Sequence, residues 1–386
     1  MSDLKYRLMI VAGRLMYVWE GRKPLTNTVV FSNFSGKKYS DNPMYISEKL
    51  HELSPDTDIV WLRHKGYEFD TPDYVRVVDW PSKDMTCALA TAKVWVDSHL
   101  KPAYVRKRKE QFYIETWHGG LGMKKIEGDA DGEVSFKYRK DSLHNTAMAD
   151  LFISNCAWLS AIYRRAFGYK GQILECGYPK NDIFFNDHEA IAQKVREDLD
   201  ASGRKIFLYA PTFRDTESPE WLTLDLKKVK DFLDENAMGG CDNWLVIYKM
   251  HPLTTDYRSV MSQYDSEGIK DATDYPNMQE LILATDMYVT DYSSGIFDFA
   301  YLRRPGFLYA SDVKAYVEQE RGLYFDITKD LPFPFADTTE ALLDQMRAFN
   351  DNDYQKAIDA YFEDMGMKET GHAADDICRV IMDHLD

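Results

Sequence analysis

A histidine in the first third of the chain follows an apolar run and precedes two glycines. Residues 111–116, QFYIET, are typical of a buried strand, and Trp117, His118, Gly119 and Gly120 come directly after them. Imidazole titrates near neutral pH, so His118 at a strand end could take a proton from an incoming hydroxyl. A buried, hydrogen-bonded ring beside Trp117 explains the same residue equally well, and the two interpretations stand level.

Several neighbours of His118 would belong to the acceptor side of such a site. Gly119 and Gly120 would leave room for an acceptor, and Lys124 with Lys125, in a predicted following helix, could hold anionic groups. Asp41 is placed on the same side. It or Asn42 is also the predicted cap of a helix over residues 41–53, with Pro43 in its first turn.

Three apolar runs in the second half of the chain end in polar residues that bind anions well. Arg214 could grip phosphate oxygens with two hydrogen bonds, although an ion pair with Asp215 or a neighbouring helix is the alternative. His251 could donate to a phosphate or a leaving group, or simply cap a carbonyl. The residues that follow the runs are Thr212, Phe213, Arg214 and Asp215; His251 and Pro252; and Asp291, Tyr292, Ser293 and Ser294.

The third of these strand ends is the most specific. The stretch VTDYSSGIFDF, residues 289–299, predicts a strand from which Thr290 leads into a tight turn and a helix. Free N–H groups at a helix start attract phosphate, and the Ser293 and Ser294 hydroxyls can add donors. An ordinary serine cap, worth about 1 kcal/mol, is the alternative. The three strand ends together favour an anion site, with Asp298 either facing the ligand or exposed.

The elements that would position these residues are short apolar runs alternating with helical patterns. Seven runs lie between residues 27 and 180 and four lie beyond 204, which predicts two parallel sheets. We therefore expect an α/β protein with two Rossmann-like doubly wound domains facing across a cleft, over residues 1–190 and 191–365, and a C-terminal helix over 366–386. A helical linker over 181–205 would stop at Gly203. Ligands bind at the carboxyl ends of such strands.

The charge and cysteine content of the chain limit the kinds of ligand and metal that it is expected to bind. The 386-residue chain has a net charge of −16, which argues against nucleic-acid binding but not against a small anionic ligand held by local positive groups. Its five cysteines form no CxxC pair, so neither a zinc site nor a disulfide framework is expected and a reducing, cytoplasmic setting fits. No acidic metal cluster is evident, and we expect no metal and no cofactor.

The N-terminal segment, residues 4–23, is amphipathic. Its apolar residues are interrupted by Arg7, Arg14, Arg22 and Lys23, a pattern that suits a helix lying in the membrane surface. A helix packed on its own domain is equally favoured. No run of about 18 apolar residues predicts a membrane span. The expected location is the cytoplasm, with a peripheral position on the inner face of the cell membrane as the further option.

Seven segments, in this order, resemble the successive motifs of the CDP-glycerol glycerophosphotransferases, the teichoic acid polymerase and primase family. The resemblance covers roughly residues 27–345 and implies the two-domain GT-B fold. The segments are FSNFSGKKYSDNP at 31–43, TWHGGLGMKK at 116–125, GYPKND at 177–182, YAPTFRD at 209–215, KMHP at 249–252, VTDYSSGIFDFAYLRRP at 289–305 and RGLYFD at 321–326.

The resemblance implies a role for each matching residue. His118 would be the catalytic base, and His251, also counted as catalytic, would bind the donor pyrophosphate with Arg214. Ser293 and Ser294 would contact phosphate, and Asp298 would lie near the glycerol or its phosphate. Thr212 and Thr290 are assigned to the same donor site.

The implied reaction is transfer of a polyol phosphate, most favourably glycerol phosphate, from a CDP-polyol to a hydroxyl of a lipid-linked or phosphopolyol acceptor. CMP would leave, and the product would be a teichoic-acid-like or capsule polymer. Gly120 with LGMKK, and PFPF at 332–335, depart from the family pattern. A CDP-ribitol phosphotransferase, a glycosyltransferase using a nucleotide sugar and a non-catalytic nucleotide-binding scaffold remain alternatives.

Overall fold

The computed structural model describes residues 3–130, 135–214, 219–251, 255–319 and 322–386. The chain forms two compact units. The first comprises the chain up to Gly120, Glu127–Asp182 and Gly366–Asp386, and the second comprises Leu121–Ile126 and Ile183–Met365. Each unit holds one parallel sheet, which confirms the prediction of two Rossmann-like α/β domains. The boundary at residue 190 stays a prediction.

The sheet of the first unit contains all seven strands that the sequence predicts there. They are continuous apolar runs because helices cover both faces of a parallel sheet. In the central register Val30 lies opposite Val60 on one side and Trp95 on the other. The strands are β1 Thr26–Ser32, β2 Asp58–His64, β3 Val75–Trp80, β4 Ala92–Asp97, β5 Phe112–Glu115, β6 Leu151–Ser154 and β7 Gln172–Glu175, in the order β3-β2-β1-β4-β5-β6-β7.

Five helices precede or connect these strands: α1 Asp3–Glu20, α2 Asp41–Leu53, α3 Lys83–Thr91, α4 Phe136–Met148 and α5 Ala157–Ala166. The residue before α2 is Ser40, so the prediction of Asp41 or Asn42 as its cap is wrong by one residue. Pro43 does lie in the first turn, where its missing N–H is tolerated. No described helix is long and apolar enough to cross a membrane.

The sheet of the second unit has six strands, two more than the sequence predicts. The missed strands, β10 and β13, have three and two residues and lie at opposite edges. Such short edge segments leave too few residues for a periodic pattern. The strands are β8 Lys205–Tyr209, β9 Trp244–Tyr248, β10 Ile269–Asp271, β11 Met287–Thr290, β12 Gly306–Tyr309 and β13 Phe335–Ala336, in the order β10-β9-β8-β11-β12-β13.

The helices of the second unit are α6 Glu189–Asp198, α7 Leu226–Glu235, α8 Thr255–Met261, α9 Met278–Ala284, α10 Gly295–Ala300, α11 Val313–Gln319, α12 Thr339–Arg347 and α13 Asp351–Met365. The predicted linker helix ends earlier than expected. It stops at Asp198 rather than at Gly203, and Asp200 and Gly203 both have positive φ, 53° and 72°, in the turn before β8.

The C-terminal helix α14, Ala373–Leu385, belongs to the first unit. The Asp182 carboxylate accepts hydrogen bonds from the backbone N–H groups of Ala373 and Ala374, at 3.0 and 2.8 Å, and so satisfies the start of this helix. Ile377 and Ile381 are fully buried. The last helix of the chain is therefore held to the first unit by both a polar cap at its start and an apolar face.

Candidate active site

His118 lies in the loop that follows β5, and one ring nitrogen is fixed by the backbone. Its Nδ1 lies 2.9 Å from the carbonyl oxygen of Ser98, at the end of β4. A carbonyl can only accept, so Nδ1 carries the proton and Nε2 of the neutral ring keeps its lone pair. Nε2 is therefore the ring atom that could serve as a general base.

Backbone strain is concentrated around His118. Trp117, immediately before it, has φ of +52°, and Phe34, whose ring lies 5.2 Å from the imidazole, has φ of +45°. Ser35 and Asp41 also have positive φ, 59° and 62°. Side chains rarely adopt this region, and clusters of such residues occur where function requires a fixed geometry.

A buried carboxylate holds the strained turn. Glu115 Oε1 accepts the backbone N–H of Trp117 at 3.0 Å, and Oε2 accepts from the Tyr113 hydroxyl and the Asn145 amide at 2.8 and 2.7 Å. Burial, and then repulsion from Asp97, raise the pKa of Glu115 to about 7. The side chain that fixes the loop is thus itself close to a protonation change at neutral pH.

A second buried carboxylate, Asp97, fixes the backbone around Ser98, whose carbonyl binds His118. Asp97 accepts from the backbone N–H groups of Ser98 and His99, at 2.8 and 3.1 Å, and forms an ion pair with Lys101. Burial raises the pKa of Asp97 although Lys101 opposes the change. This network fixes the Ser98 carbonyl that orients the imidazole.

The charge state of His118 depends on its surroundings. Burial lowers its pKa below the ordinary value, while the hydrogen bond to Ser98 and the charge of Asp41 act in the opposite direction. Lys180 lowers it further. The net effect favours the neutral ring, which is the form that can accept a proton.

The two glycines after His118 differ in their surroundings. A Cβ on Gly119 would touch only the Trp117 ring, at 3.7 Å, whereas a Cβ on Gly120 would lie 3.0 Å from the Asn155 amide and 3.1 Å from the Tyr178 ring. Gly120 is also buried. Close packing against Asn155 and Tyr178 therefore explains why residue 120 is a glycine, and room for an acceptor at Gly120 stays a prediction.

In the second unit, polar residues gather where the strand order reverses, between β8 and β11. Thr212 donates its backbone N–H to Asp291 at 2.9 Å, and the Thr290 hydroxyl donates to the carbonyl of Ala210 at 2.6 Å. Ligands of doubly wound sheets bind at such switch points. The Thr290 hydroxyl, however, is committed to joining the two strands.

Arg214 is buried in a cage of carboxylates and aromatic rings. Nε and Nη2 bind Asp312, Nη2 also binds Asp291, and Nη1 donates twice to Thr212, so all five N–H groups have acceptors. Its guanidinium carbon lies 4.6 to 4.8 Å from three ring centres, those of Trp221, Tyr292 and Tyr316.

The environment of Arg214 differs from the one expected for a phosphate ligand. Burial lowers its pKa, but the attraction of Asp291 and Asp312 outweighs that effect and raises it. A direct grip on phosphate would require breaking one of these hydrogen bonds. The Arg214 side chain instead ties the end of β8 to the loops after β11 and β12, while Asp215, its expected partner, lies outside the described residues.

The turn after β11 leaves its serines partly exposed. Ser293 Oγ accepts the backbone N–H of Gly295 at 3.2 Å, and the Ser294 side chain makes no capping hydrogen bond within the part of the chain described. Asp298 is buried and accepts from the Gln279 amide at 3.0 Å. Its position as an exposed helix residue is thereby excluded.

The two remaining predicted site residues, His251 and Lys124, both lie in the second unit. His251 is exposed at the end of β9, with its ring 5.9 Å from that of Phe213, while Pro252 lies outside the described residues. Lys124 belongs to the second unit rather than to the unit of His118, and its ammonium lies 5.5 Å from the Tyr316 ring. Lys124 therefore lies in the same unit as the predicted donor-site residues, and its role on the acceptor side stays a prediction.

Sequence reasoning missed the residues that hold the site. Ser98 and Glu115 orient the His118 loop, Asn42 donates from its amide to the Trp117 carbonyl, and Asp312 anchors Arg214. Ser98, Glu115 and Asp312 follow or end strands, so their position at the carboxyl edge was the available signal. Within the described residues, no group of three or more histidine, cysteine or acidic side chains could hold a metal ion.

Comparisons with known proteins agree on one family. A family model described as CDP-glycerol:poly(glycerophosphate) glycerophosphotransferase matches residues 15–383. The teichoic acid glycerol-phosphate transferase of Staphylococcus aureus strain NCTC 8325 is 32% identical over 377 residues, which cover 93% of each chain. The teichoic acid poly(glycerol phosphate) polymerase of Bacillus subtilis strain 168 is 28% identical over 401 residues, 98% of this chain and 52% of the polymerase.

A solved structure extends the likeness to three dimensions. A variant of the wall teichoic acid polymerase TagF, soaked with CDPG, matches with a TM-score of 0.85 and 28% identity, covering 99% of this chain and 97% of that one. The chain nevertheless spans about half the length of the Bacillus subtilis polymerase as a whole.

Proposed function

Because the chain belongs to the CDP-glycerol:poly(glycerophosphate) glycerophosphotransferase family, we propose that it transfers glycerol phosphate from CDP-glycerol to a hydroxyl of a polymeric or lipid-linked acceptor. The acceptor oxygen attacks the phosphorus that carries glycerol, and a new P–O bond forms. The bond between that phosphorus and the CMP oxygen breaks, so CMP leaves with the electron pair. Positioning and stabilisation of phosphate charge supply most of the catalysis in such transfers.

The fixed tautomer of His118 carries the proposal. The acceptor hydroxyl loses its proton as it attacks, and Nε2 of His118 is the atom that takes it, since Nδ1 is held by the Ser98 carbonyl. The carboxylates of Glu115 and Asp97 position the loop without touching substrate. A residue held so firmly in a strained turn is better explained by proton transfer than by packing alone.

The donor is assigned to the second unit. Ser293 and Ser294 contact phosphate through their partly exposed hydroxyls, and the exposed His251 binds the pyrophosphate and stabilises the departing CMP. Thr212 and Asp298 border the same region. Arg214 is a positioning residue, because its hydrogen bonds to Asp291, Asp312 and Thr212 organise the strand ends that carry the others.

The acceptor is assigned to a membrane surface. Helix α1 packs on the first unit through Tyr6, Ile10 and Tyr17 and leaves an exposed apolar face on its other side. An amphipathic helix with flanking basic residues binds the headgroup region of a membrane. We therefore place the enzyme on the inner face of the cell membrane, where a lipid-linked acceptor is available. The exposed apolar face consists of Leu4, Leu8, Val11, Leu15, Val18 and Trp19.

A CMP-release assay tests the proposed function. CDP-glycerol, CDP-ribitol and a UDP-sugar are offered separately, each with a glycerol phosphate oligomer as acceptor. We expect nucleotide release from CDP-glycerol, and His118→Ala to reduce turnover at least 100-fold, the lower range for loss of a general base. Binding of CDP-glycerol, measured by calorimetry, should persist in this variant.

His188→Ala is the matched control, because His188 lies immediately before α6 in the second unit and has no assigned role. Release only from the UDP-sugar would instead support a glycosyltransferase. Binding of CDP-glycerol with no release from any donor would support a nucleotide-binding scaffold. Full turnover in His118→Ala would refute the assignment of the base.

A further inference from the structure

The first unit contains a cavity of about 670 Å³ beside α1. This volume lies within the range of small-molecule binding sites. The wall is predominantly apolar, and its methionines can adapt their shape to different hydrocarbon ligands. Its apolar lining includes Met9, Met16, Trp80, Met85, Leu100 and Tyr104.

The mouth of the cavity is continuous with the exposed apolar face of α1. Met9, Ala12 and Met16 recur at helical spacing, line the cavity and are themselves exposed to solvent. Leu8 and Trp19 come next around the helix, at 100° per residue. A hydrocarbon chain leaving a membrane surface at α1 could therefore enter the cavity along an unbroken apolar path.

One residue of the cavity wall lies beside the candidate base. His99 lines the cavity, and its ring centre lies 5.7 Å from that of His118. The buried Nδ1 of His99 has no hydrogen-bond partner among the described residues. Burial, and then repulsion from His118, lower the pKa of His99 to about 3, so the ring beside His118 is neutral.

We infer that this cavity binds the hydrocarbon chain of a lipid-linked acceptor and thereby presents the acceptor hydroxyl to His118. The inference rests on the proposed function, since it requires an acceptor hydroxyl at His118. A phosphopolyol chain alone is too polar to need an apolar cavity of this size. A phospholipid used only as an anchor would fill the cavity without delivering a hydroxyl.

Alkyl esters of glycerol phosphate test this site. Methyl, butyl and octyl esters carry the same hydroxyls and differ only in chain length. The octyl chain is short enough for the ester to be assayed as a monomer, below the concentration at which micelles form. Each buried methylene strengthens binding about fourfold. With CDP-glycerol as donor, we expect KM for the octyl ester to be at least ~10-fold below that for the methyl ester.

Ala12→Trp fills the mouth and should raise KM for the octyl ester to the value for the methyl ester. Ala12 is exposed, so the substitution should leave the fold intact. Ala161→Trp is the matched control, because Ala161 is an exposed helical alanine of the same unit outside the cavity. It should keep the dependence on chain length. Equal KM values for the three esters in the wild type would overturn the inference.

Calorimetry without donor separates this inference from the proposed function. If octyl ester binding is lost in Ala12→Trp but kept in Ala161→Trp, the cavity is supported as the binding site of the chain. If in addition no ester is turned over, only the proposed function is refuted. Turnover of the methyl ester, with octyl ester binding equal in both variants, supports the proposed function and rejects the cavity as the site of the chain.

Discussion

At the scale of single residues, the hydrogen bond made by one ring nitrogen of His118 determines which nitrogen can act as the base. The Ser98 carbonyl holds Nδ1 of His118 and leaves Nε2 as the proton acceptor. Arg214 illustrates the opposite case. Its charge suggested a phosphate ligand, but its five N–H groups are already used within the second unit. In both residues, the N–H groups that are already hydrogen-bonded within the protein determine which role remains possible.

The pH dependence of turnover should follow the charges around His118. A base works only when it is deprotonated, so activity falls as the pH drops through its pKa, and the lowered pKa shifts that fall to the acid side of the usual histidine range. Asp41→Asn removes a charge that raises this pKa and should move the acid limb to lower pH. Lys180→Met should move it to higher pH.

Profiles of kcat/KM against pH for the wild type and both variants measure the effect. Asparagine tolerates the positive φ of Asp41, so the loop should keep its conformation. Shifts in the same direction in both variants, or none in either, would show that His118 is not the group that titrates.

Arg214 and His251 should respond differently to truncation. Arg214→Ala leaves Asp291 and Asp312 without their buried counter-charge, so the free energy of unfolding should fall by about 3–5 kcal/mol. Arg258→Ala, which breaks partly exposed pairs with Asp271 and Asp274, should cost no more than about 1 kcal/mol. Urea unfolding of the two variants provides the comparison.

His251→Ala should weaken CDP-glycerol binding and leave urea unfolding unchanged, because the ring is exposed. Titration calorimetry gives the donor affinity. Undiminished affinity in this variant would remove His251 from the donor site, whatever the outcome for Arg214.

At the scale of elements, the loops after parallel strands carry the proposed chemistry, and buried carboxylates hold them in place. Glu115 ends β5 and accepts the Trp117 N–H, and Asp97 ends β4 and accepts from Ser98. Asp291 plays the same part after β11. These acids replace the backbone partners that the strands lose as they leave the sheet.

Glu115 should make the stability of the first unit depend on pH. Its pKa is raised to about 7 in the folded protein, above the value of an exposed glutamate, so the folded state favours the protonated form. The resulting stabilisation is present in acid and is lost as the pH rises from the unfolded value through about 7.

Glu115→Gln should abolish this contribution. The difference in melting temperature between the wild type and the variant should therefore change across that interval, with the wild type losing stability relative to the variant as pH increases. A difference that is constant with pH would show that Glu115 does not titrate there.

At the scale of the whole molecule, the apolar residues of α1 lie on two sides of the helix, one buried and one exposed. One side packs against the first unit through Tyr6 and Tyr17, and the other leaves Leu8 and Leu15 more than half exposed, at 64% and 66%. The first side fits the interpretation of a helix packed on its own domain, and the second is the side that membrane binding would require. Packing on the unit is observed, and membrane binding is the proposal.

Vesicle sedimentation tests the exposed apolar face of α1. The double substitution Leu8→Glu with Leu15→Glu should abolish binding to anionic phospholipid vesicles, because it places two carboxylates in the face that would enter the headgroup region. Leu143→Glu changes an equally exposed leucine on α4 and should bind as the wild type does. Equal sedimentation of all three proteins would reject the membrane proposal.

The sequence alone determined the fold class, because its signals are local. Continuous apolar runs predicted all seven strands of one sheet and four of the six in the other, and only the short edge strands β10 and β13 escaped. The sequence also placed polar residues after β8, β9 and β11, and parallel strands deliver such residues to one edge of the sheet. The family motifs added the reaction that we propose for this chain.

The tertiary structure decided the state of each side chain, because the deciding partners are distant in the chain. Asp312, which engages Arg214, lies 98 residues away, and Ser98, which fixes the His118 tautomer, lies 20 residues away. Tyr178, which packs on Gly120, and Tyr316, which lies near Lys124, are likewise remote in sequence. No local spacing encodes such contacts, since folding alone brings the segments together.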